Sequence, residues 1–114
     1  MERKPIRIDL SKAKHKIISG GAEAWRIMSR EGYGMNLDTW HTRFSPGDRH
    51  EWHEHNEDEL IYIIKGKGRY EIEGGAIEFQ AGDYIFMPRN TQHQSVASDD
   101  GDVELIAIFQ PARE

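Results

Sequence analysis

The sequence predicts an all-β fold, a sandwich or a closed barrel, on three observations. Short runs rich in β-branched and aromatic residues recur at brief intervals along all 114 residues. Glycine, proline, asparagine and aspartate stand between them, so the chain turns where each run ends. No segment shows a convincing helical period; Ala22 to Arg30 comes closest, but Gly20-Gly21 precedes it and Trp25 and Ile27 alternate.

Taken in order, Ile6 to Leu10 reads as an opening strand, and Ser11 to Lys16 as a basic, polar connection. Ala24 to Arg30 and Met35 to Phe44 read as two strands around a turn at Glu31-Gly32-Tyr33-Gly34. Ser45-Pro46-Gly47-Asp48 is a strong turn signal. Leu60 to Ile64 is a continuous apolar run expected to be buried on both faces. Strands then follow at Arg69 to Glu73, Ala76 to Gln80, Tyr84 to Met87, Thr91 to Ala97 and Val103 to Phe109. With no linker, repeat or low-complexity stretch, residues 1–114 are expected to form a single domain.

Composition narrows the function classes. A formal charge of -5 argues against nucleic acid, because phosphate contacts need a basic face. The chain has no cysteine, so disulfides and thiolate metal sites are excluded and any metal must sit on nitrogen and oxygen. Met1 to Pro5 leads into no apolar run of signal-peptide or membrane-spanning length, and a cytoplasmic protein without membrane attachment is the expectation.

The densest chemical signal runs from Gly47 to Gly66: His53-Glu54-His55, then Glu59 four residues on. Alternate residues of a strand share a face, so His53 and His55 point the same way. Glu59 keeps that parity if the strand resumes after a kink at Asn56-Glu57-Asp58. Two imidazoles and a carboxylate suit a divalent transition metal, and His93, in a second glycine- and proline-marked segment, is a fourth candidate.

These residues resemble the cupin superfamily. Its first motif is Gly, five residues, His-x-His, three or four residues, Glu, six residues, Gly, which Gly47, His53, His55, Glu59 and Gly66 match (47–66). Its second motif, at 82–97, is matched by Gly82, Pro88 and His93; Asn90 stands where the family has glycine, and Ala97 where it often has asparagine. Asparagine tolerates left-handed backbone, so the first departure is mild. The resemblance implies a double-stranded β-helix (jelly-roll) barrel, a metal on His53, His55, Glu59 and His93, and a homodimer. The tail from Phe109 to Glu114 also resembles small cupins of uronate breakdown. The basic N-terminal stretch and the strand Leu105 to Phe109 are the expected dimer contacts.

Three nitrogens and one oxygen on a six-coordinate Fe, Mn, Ni, Co or Zn would leave two positions for water or substrate. The expected function is a metal-dependent enzyme acting on a small oxygen-rich metabolite, such as a sugar acid or keto acid, by isomerisation, ring opening or elimination. A non-haem iron dioxygenase and a non-catalytic ligand-binding or sensory cupin are the alternatives. His50, His41, Tyr84 and Gln94 are the candidate proton carriers, and Arg43 and Arg89 the candidate substrate clamps. In a regular strand His50 faces away from His53, and only a bulge reverses that. Trp25, Trp40, Phe44, Tyr62, Tyr84 and Phe86 either wall a cavity or fill the core, and His15 reads as a surface residue. Met87 is expected to face the interior.

Overall fold

Alternation of buried and exposed side chains builds two facing antiparallel sheets, seen in a computed structural model that describes residues 4–113. Met1, Glu2, Arg3 and Glu114 lie outside the described residues. The strands are β1 (Lys14–Ile17), β2 (Glu23–Met28), β3 (Asp38–Phe44), β4 (Arg49–His53), β5 (Asp58–Lys65), β6 (Lys67–Ile72), β7 (Gly75–Gln80), β8 (Tyr84–Met87), β9 (His93–Ala97) and β10 (Val103–Gln110). One sheet has the order β1-β2-β3-β10-β5-β8 and the other β4-β9-β6-β7. From β3 to β10 the chain passes repeatedly between the sheets in jelly-roll order, so strands distant in sequence meet in space. β3 turns Trp40, Thr42 and Phe44 inward, β5 turns Ile61 and Ile63, and β10 turns Val103, Leu105, Ala107 and Phe109. These side chains form one core between the sheets, and the metal-type residues sit at one end of it.

Four local expectations are corrected. Ile6 to Leu10 forms no strand; Asp9 accepts a hydrogen bond from the backbone N–H of Ser11 at 3.0 Å and starts a 3-10 turn over Leu10–Lys12. Such short polar side chains compete with strand pairing. The opening strand is instead β1, inside the stretch read as a connection, and it lies exposed at the edge of its sheet. Where a plain turn was expected, Arg30–Tyr33 forms one helical turn, capped by the Ser29 hydroxyl accepting from Gly32 N–H at 3.0 Å. Finally, Leu60–Ile64 is buried on one face only: Ile61 and Ile63 are 0% exposed, while Leu60 and Ile64 are 42% and 39% exposed.

The backbone explains two motif positions. Gly66 has φ +86, and a Cβ there would lie 2.2 Å from the carbonyl oxygen of Asp102. Gly66→Ala is therefore expected to cost about 3 kcal/mol, from left-handed strain plus the clash, and urea unfolding would read it directly. Asn90, in the family's glycine position, has φ +61, the left-handed conformation that asparagine adopts most readily among residues with a side chain.

Candidate metal centre

His53 ends β4 and pairs in register with His93, the first residue of β9. His55 follows in the connection to β5, and Glu59 comes from β5 in the facing sheet. The sequence thus brings two sheets and a loop to one point. The ring centroids are 4.3 Å apart for His53 and His93, 5.2 Å for His55 and His93, and 5.7 Å for His53 and His55. One ligand nitrogen from each lies within 4.8 Å of the others.

Hydrogen bonding fits these rings for a metal. Nδ1 of His53 lies 2.6 Å from the Glu51 carbonyl, that of His55 3.0 Å from Glu57, and that of His93 2.7 Å from Thr91. A carbonyl only accepts, so each Nδ1 carries the proton and each Nε2 keeps a lone pair in the neutral ring. Second partners of this kind orient imidazole ligands. The three histidines could therefore hold a divalent metal. Glu59 is 7% exposed, with Oε1 3.1 Å from His55 Nε2 and 3.8 Å from His93 Nε2. It touches two of the three and stands just outside the three-histidine group.

Environment pulls the imidazoles apart in acidity. Burial lowers the pKa of His53 and of His93. Burial, helped by His53 and His93, takes His50 down to about 3. Burial also opposes protonation of His55, but the Glu59 hydrogen bond and charge and the Glu57 carbonyl outweigh it, so its pKa is raised. Below pH 6.5 the unfolded chain then binds more protons at positions 50, 53 and 93 than the folded one, and stability falls on acidification. His55 has the opposite sign: its contribution is present below pH 6.5 and lost as pH rises through its folded value. Three groups oppose one. The metal-free protein is expected to lose ~5 °C in Tm between pH 7 and pH 5, less steeply in His50→Gln, as calorimetry would show.

The centre opens into a cavity of about 260 Å³ whose walls include Trp40, Tyr70, Leu105, Phe109 and Arg113. His50 lines it too, because the β4–β9 register shifts between His50 and His53. That irregularity reverses the parity of a regular strand, and the His50 and His53 rings stack at 4.0 Å. Burial, then the charge of Glu59, keeps the Tyr70 hydroxyl protonated well above the usual phenol range.

Several sequence candidates lie elsewhere. His41 meets Glu104 at 3.1 Å and Trp25 at the rim of a separate hollow. Gln94 is buried, and its amide donates to Glu71 at 2.6 Å. Arg43 donates to Glu23 at 3.2 Å, and Arg89 to Asp58 at 3.3 Å. Tyr84 and Phe86 are 69% and 61% exposed, so of the six aromatics only Trp40 and Phe44 line the cavity. Met87 is buried, as expected. Sequence reasoning missed Lys16, Tyr70, Phe109 and Arg113 as cavity residues. For Phe109 and Arg113 the only pointer was the tail resemblance.

The Cupin domain family matches residues 40–109. Acireductone dioxygenase of Bacillus mycoides (strain KBAB4) is 32% identical over 94 residues, which cover 78% of this chain and 52% of that protein. The chain thus spans about half the length of the curated relatives it matches. Among solved structures, an RmlC-like cupin from Shewanella frigidimarina superposes with TM-score 0.79 at 23% identity, covering 100% of this chain and 97% of that one. KdgF from Halomonas sp. gives TM-score 0.80 at 21% identity, covering 97% of each. At these identities the structural likeness speaks to the fold. With the family match spanning most of the barrel and both histidine motifs, this chain belongs to the cupin family.

Proposed function

We propose that this chain is a metal-dependent cupin enzyme acting on a small oxygen-rich metabolite, a sugar acid or keto acid, by isomerisation, ring opening or elimination. The convergence of three Nε2 lone pairs at one end of a walled cavity carries this reading. His53, His55 and His93 would hold one divalent transition metal, Fe, Mn, Ni, Co or Zn, with Glu59 as the fourth ligand. When bound, such a metal supplies Lewis-acid polarisation of a chelating carbonyl or carboxylate oxygen. The chain's residues supply the rest. Trp40, Leu105 and Phe109 shield the reacting end from water, and the Tyr70 hydroxyl holds a proton at the cavity wall. The test is turnover of a sugar-acid and keto-acid panel, followed by NMR under nitrogen, by protein reloaded with Zn, Mn, Ni, Co or Fe. Metal-dependent conversion is expected; recovery of every compound unchanged with each metal contradicts the reading.

A second reading is favoured by one observation, the 32% identity to acireductone dioxygenase over 94 residues. A non-haem iron dioxygenase would use the same side chains on an enediol-type substrate. Oxygen uptake that requires Fe(II) supports it, whereas anaerobic turnover with Zn or Mn supports the first.

The homodimer is proposed on the outer face of the six-stranded sheet, to which the expected contact strand Leu105 to Phe109 contributes its alternate residues. β10 turns Leu105, Ala107 and Phe109 into the core and leaves Ile106 and Ile108 partly exposed on the other face, opposite Tyr62 and Leu60 of β5. On that face Leu60, Ile64, Tyr84 and Phe86 lie exposed on neighbouring β5 and β8, with Leu60 opposite Phe86. Together they offer roughly 400 Å² of apolar surface. Two copies face to face would bury about 800 Å² from these side chains alone, toward the ~1,200 Å² of small stable interfaces. Phe86→Glu is expected to halve the mass seen by light scattering at micromolar concentration, and a monomeric wild type contradicts the dimer.

A further inference from the structure

Three side-chain hydroxyls line the cavity without a hydrogen-bond partner among the described residues: those of Thr42, Ser95 and Tyr70. These residues are 6%, 4% and 4% exposed. Among the described residues Trp40 Nε1 alone is both sealed from solvent and unpaired, so the three hydroxyl oxygens keep open access, and the space they reach is the cavity. Hydroxyls this deep ordinarily find a partner, because their lost hydration is otherwise uncompensated. In a cavity wall that partner is water or an oxygen of a ligand. Strand register places the three. Ser95 stands between His50 and Tyr70 across β4, β9 and β6, and His93 is two residues earlier on the same face of β9. The Ser95 row is therefore about 7 Å along the strand from the histidine end. Thr42 comes from β3 in the facing sheet, between Ala24 and Leu105. Both walls beyond the metal-type residues thus carry uncharged, unpaired hydroxyls.

We propose that Thr42, Ser95 and Tyr70 form a subsite for the hydroxylated carbons of a polyhydroxy acid. A hydroxyl both donates and accepts, so it suits substrate hydroxyls, which do the same. An apolar tail would displace the hydration of all three and return no hydrogen bond, so a wall built in this way rejects it. The subsite narrows the substrate of the proposed function to a sugar acid with its hydroxyls retained. Placing the acid end of that substrate on the metal rests on the metal-centre reading; the hydroxyl subsite does not.

The test titrates 15N-labelled protein, with and without zinc, with D-gluconate, D-galactonate and 2-hydroxyhexanoate, and reads dissociation constants from the amide spectra. The three probes share a six-carbon chain and the same chelating head, a carboxylate beside a hydroxyl; only the two aldonates carry hydroxyls on the remaining carbons. At least one aldonate is expected to bind ~10-fold or more tighter than 2-hydroxyhexanoate. Thr42→Val, Ser95→Ala and Tyr70→Phe each remove one hydroxyl at nearly constant shape, and circular dichroism verifies the fold. Each is expected to weaken aldonate binding ~5-fold and to leave 2-hydroxyhexanoate where it was. Equal affinity of the wild type for all three probes, binding of none, or aldonate affinity unchanged in two or more of the variants overturns the subsite. Zinc content is measured in the same samples by elemental analysis. A wild type that takes up no zinc yet prefers an aldonate contradicts the metal centre and leaves the subsite standing. Zinc bound without that preference does the reverse.

Discussion

Replacing His93 by alanine is expected to cut divalent-metal affinity by at least about 100-fold while the barrel stays folded. Loss of a partner that merely orients a ligand costs 10–100-fold in known sites, and His93 would be a ligand itself. It is 1% exposed and meets both other histidines, so no water or neighbouring side chain takes over its position without rearrangement. His41→Ala is the control, because His41 pairs with Glu104 away from the cavity and leaves affinity unchanged. Calorimetric titration with zinc reads both variants, and circular dichroism verifies the fold. Zinc should also raise the wild-type Tm and leave that of His93→Ala nearly unmoved, since binding to the native state alone stabilises it. Equal affinity in wild type and His93→Ala would mean that the metal sits elsewhere.

The second large effect is expected at Asp38. Its carboxylate is 1% exposed and receives Arg26 from β2 and Arg113 from beyond β10, joining two ends of the sequence across β3. Asp38→Ala removes the buried carboxylate to which both guanidiniums donate and is expected to cost about 3 kcal/mol. The arginine side chains are 24% and 31% exposed, so water recovers part of their solvation and the cost stays below that of a fully buried pair. Asp38→Asn keeps an acceptor oxygen but loses the charge, and falls between. Urea unfolding measures the series. A cost under about 1 kcal/mol for Asp38→Ala would show that water already holds both arginines.

The readable parts of this molecule were those written locally. The runs Met35 to Phe44 and Val103 to Phe109 read as strands, and in the structure they lie beside each other as β3 and β10. The 47–66 and 82–97 spacings bring His53, His55 and His93 together with Glu59 beside them, although β5 belongs to the sheet that faces β4 and β9. What was illegible depended on register or on the two ends of the sequence. The shift between His50 and His53 turns His50 into the cavity, and nothing in the residue types marks it. Lys16 and Arg113 come from opposite ends of the described chain and meet only around Trp40. Arg43 and Arg89 were equally plausible by charge, yet each has a carboxylate on an exposed surface to hold it. The five-residue apolar run 60–64 looked fully buried because nothing in it shows that its alternate residues face outward from the six-stranded sheet.

Elemental analysis of the purified protein, as isolated and after stripping and reloading, beside His53→Ala/His93→Ala, tests the central claim most directly. The account predicts about one divalent transition metal per chain in the wild type and none in the double variant. A wild type that carries no metal and takes up none when offered Fe, Mn, Ni, Co or Zn would contradict it.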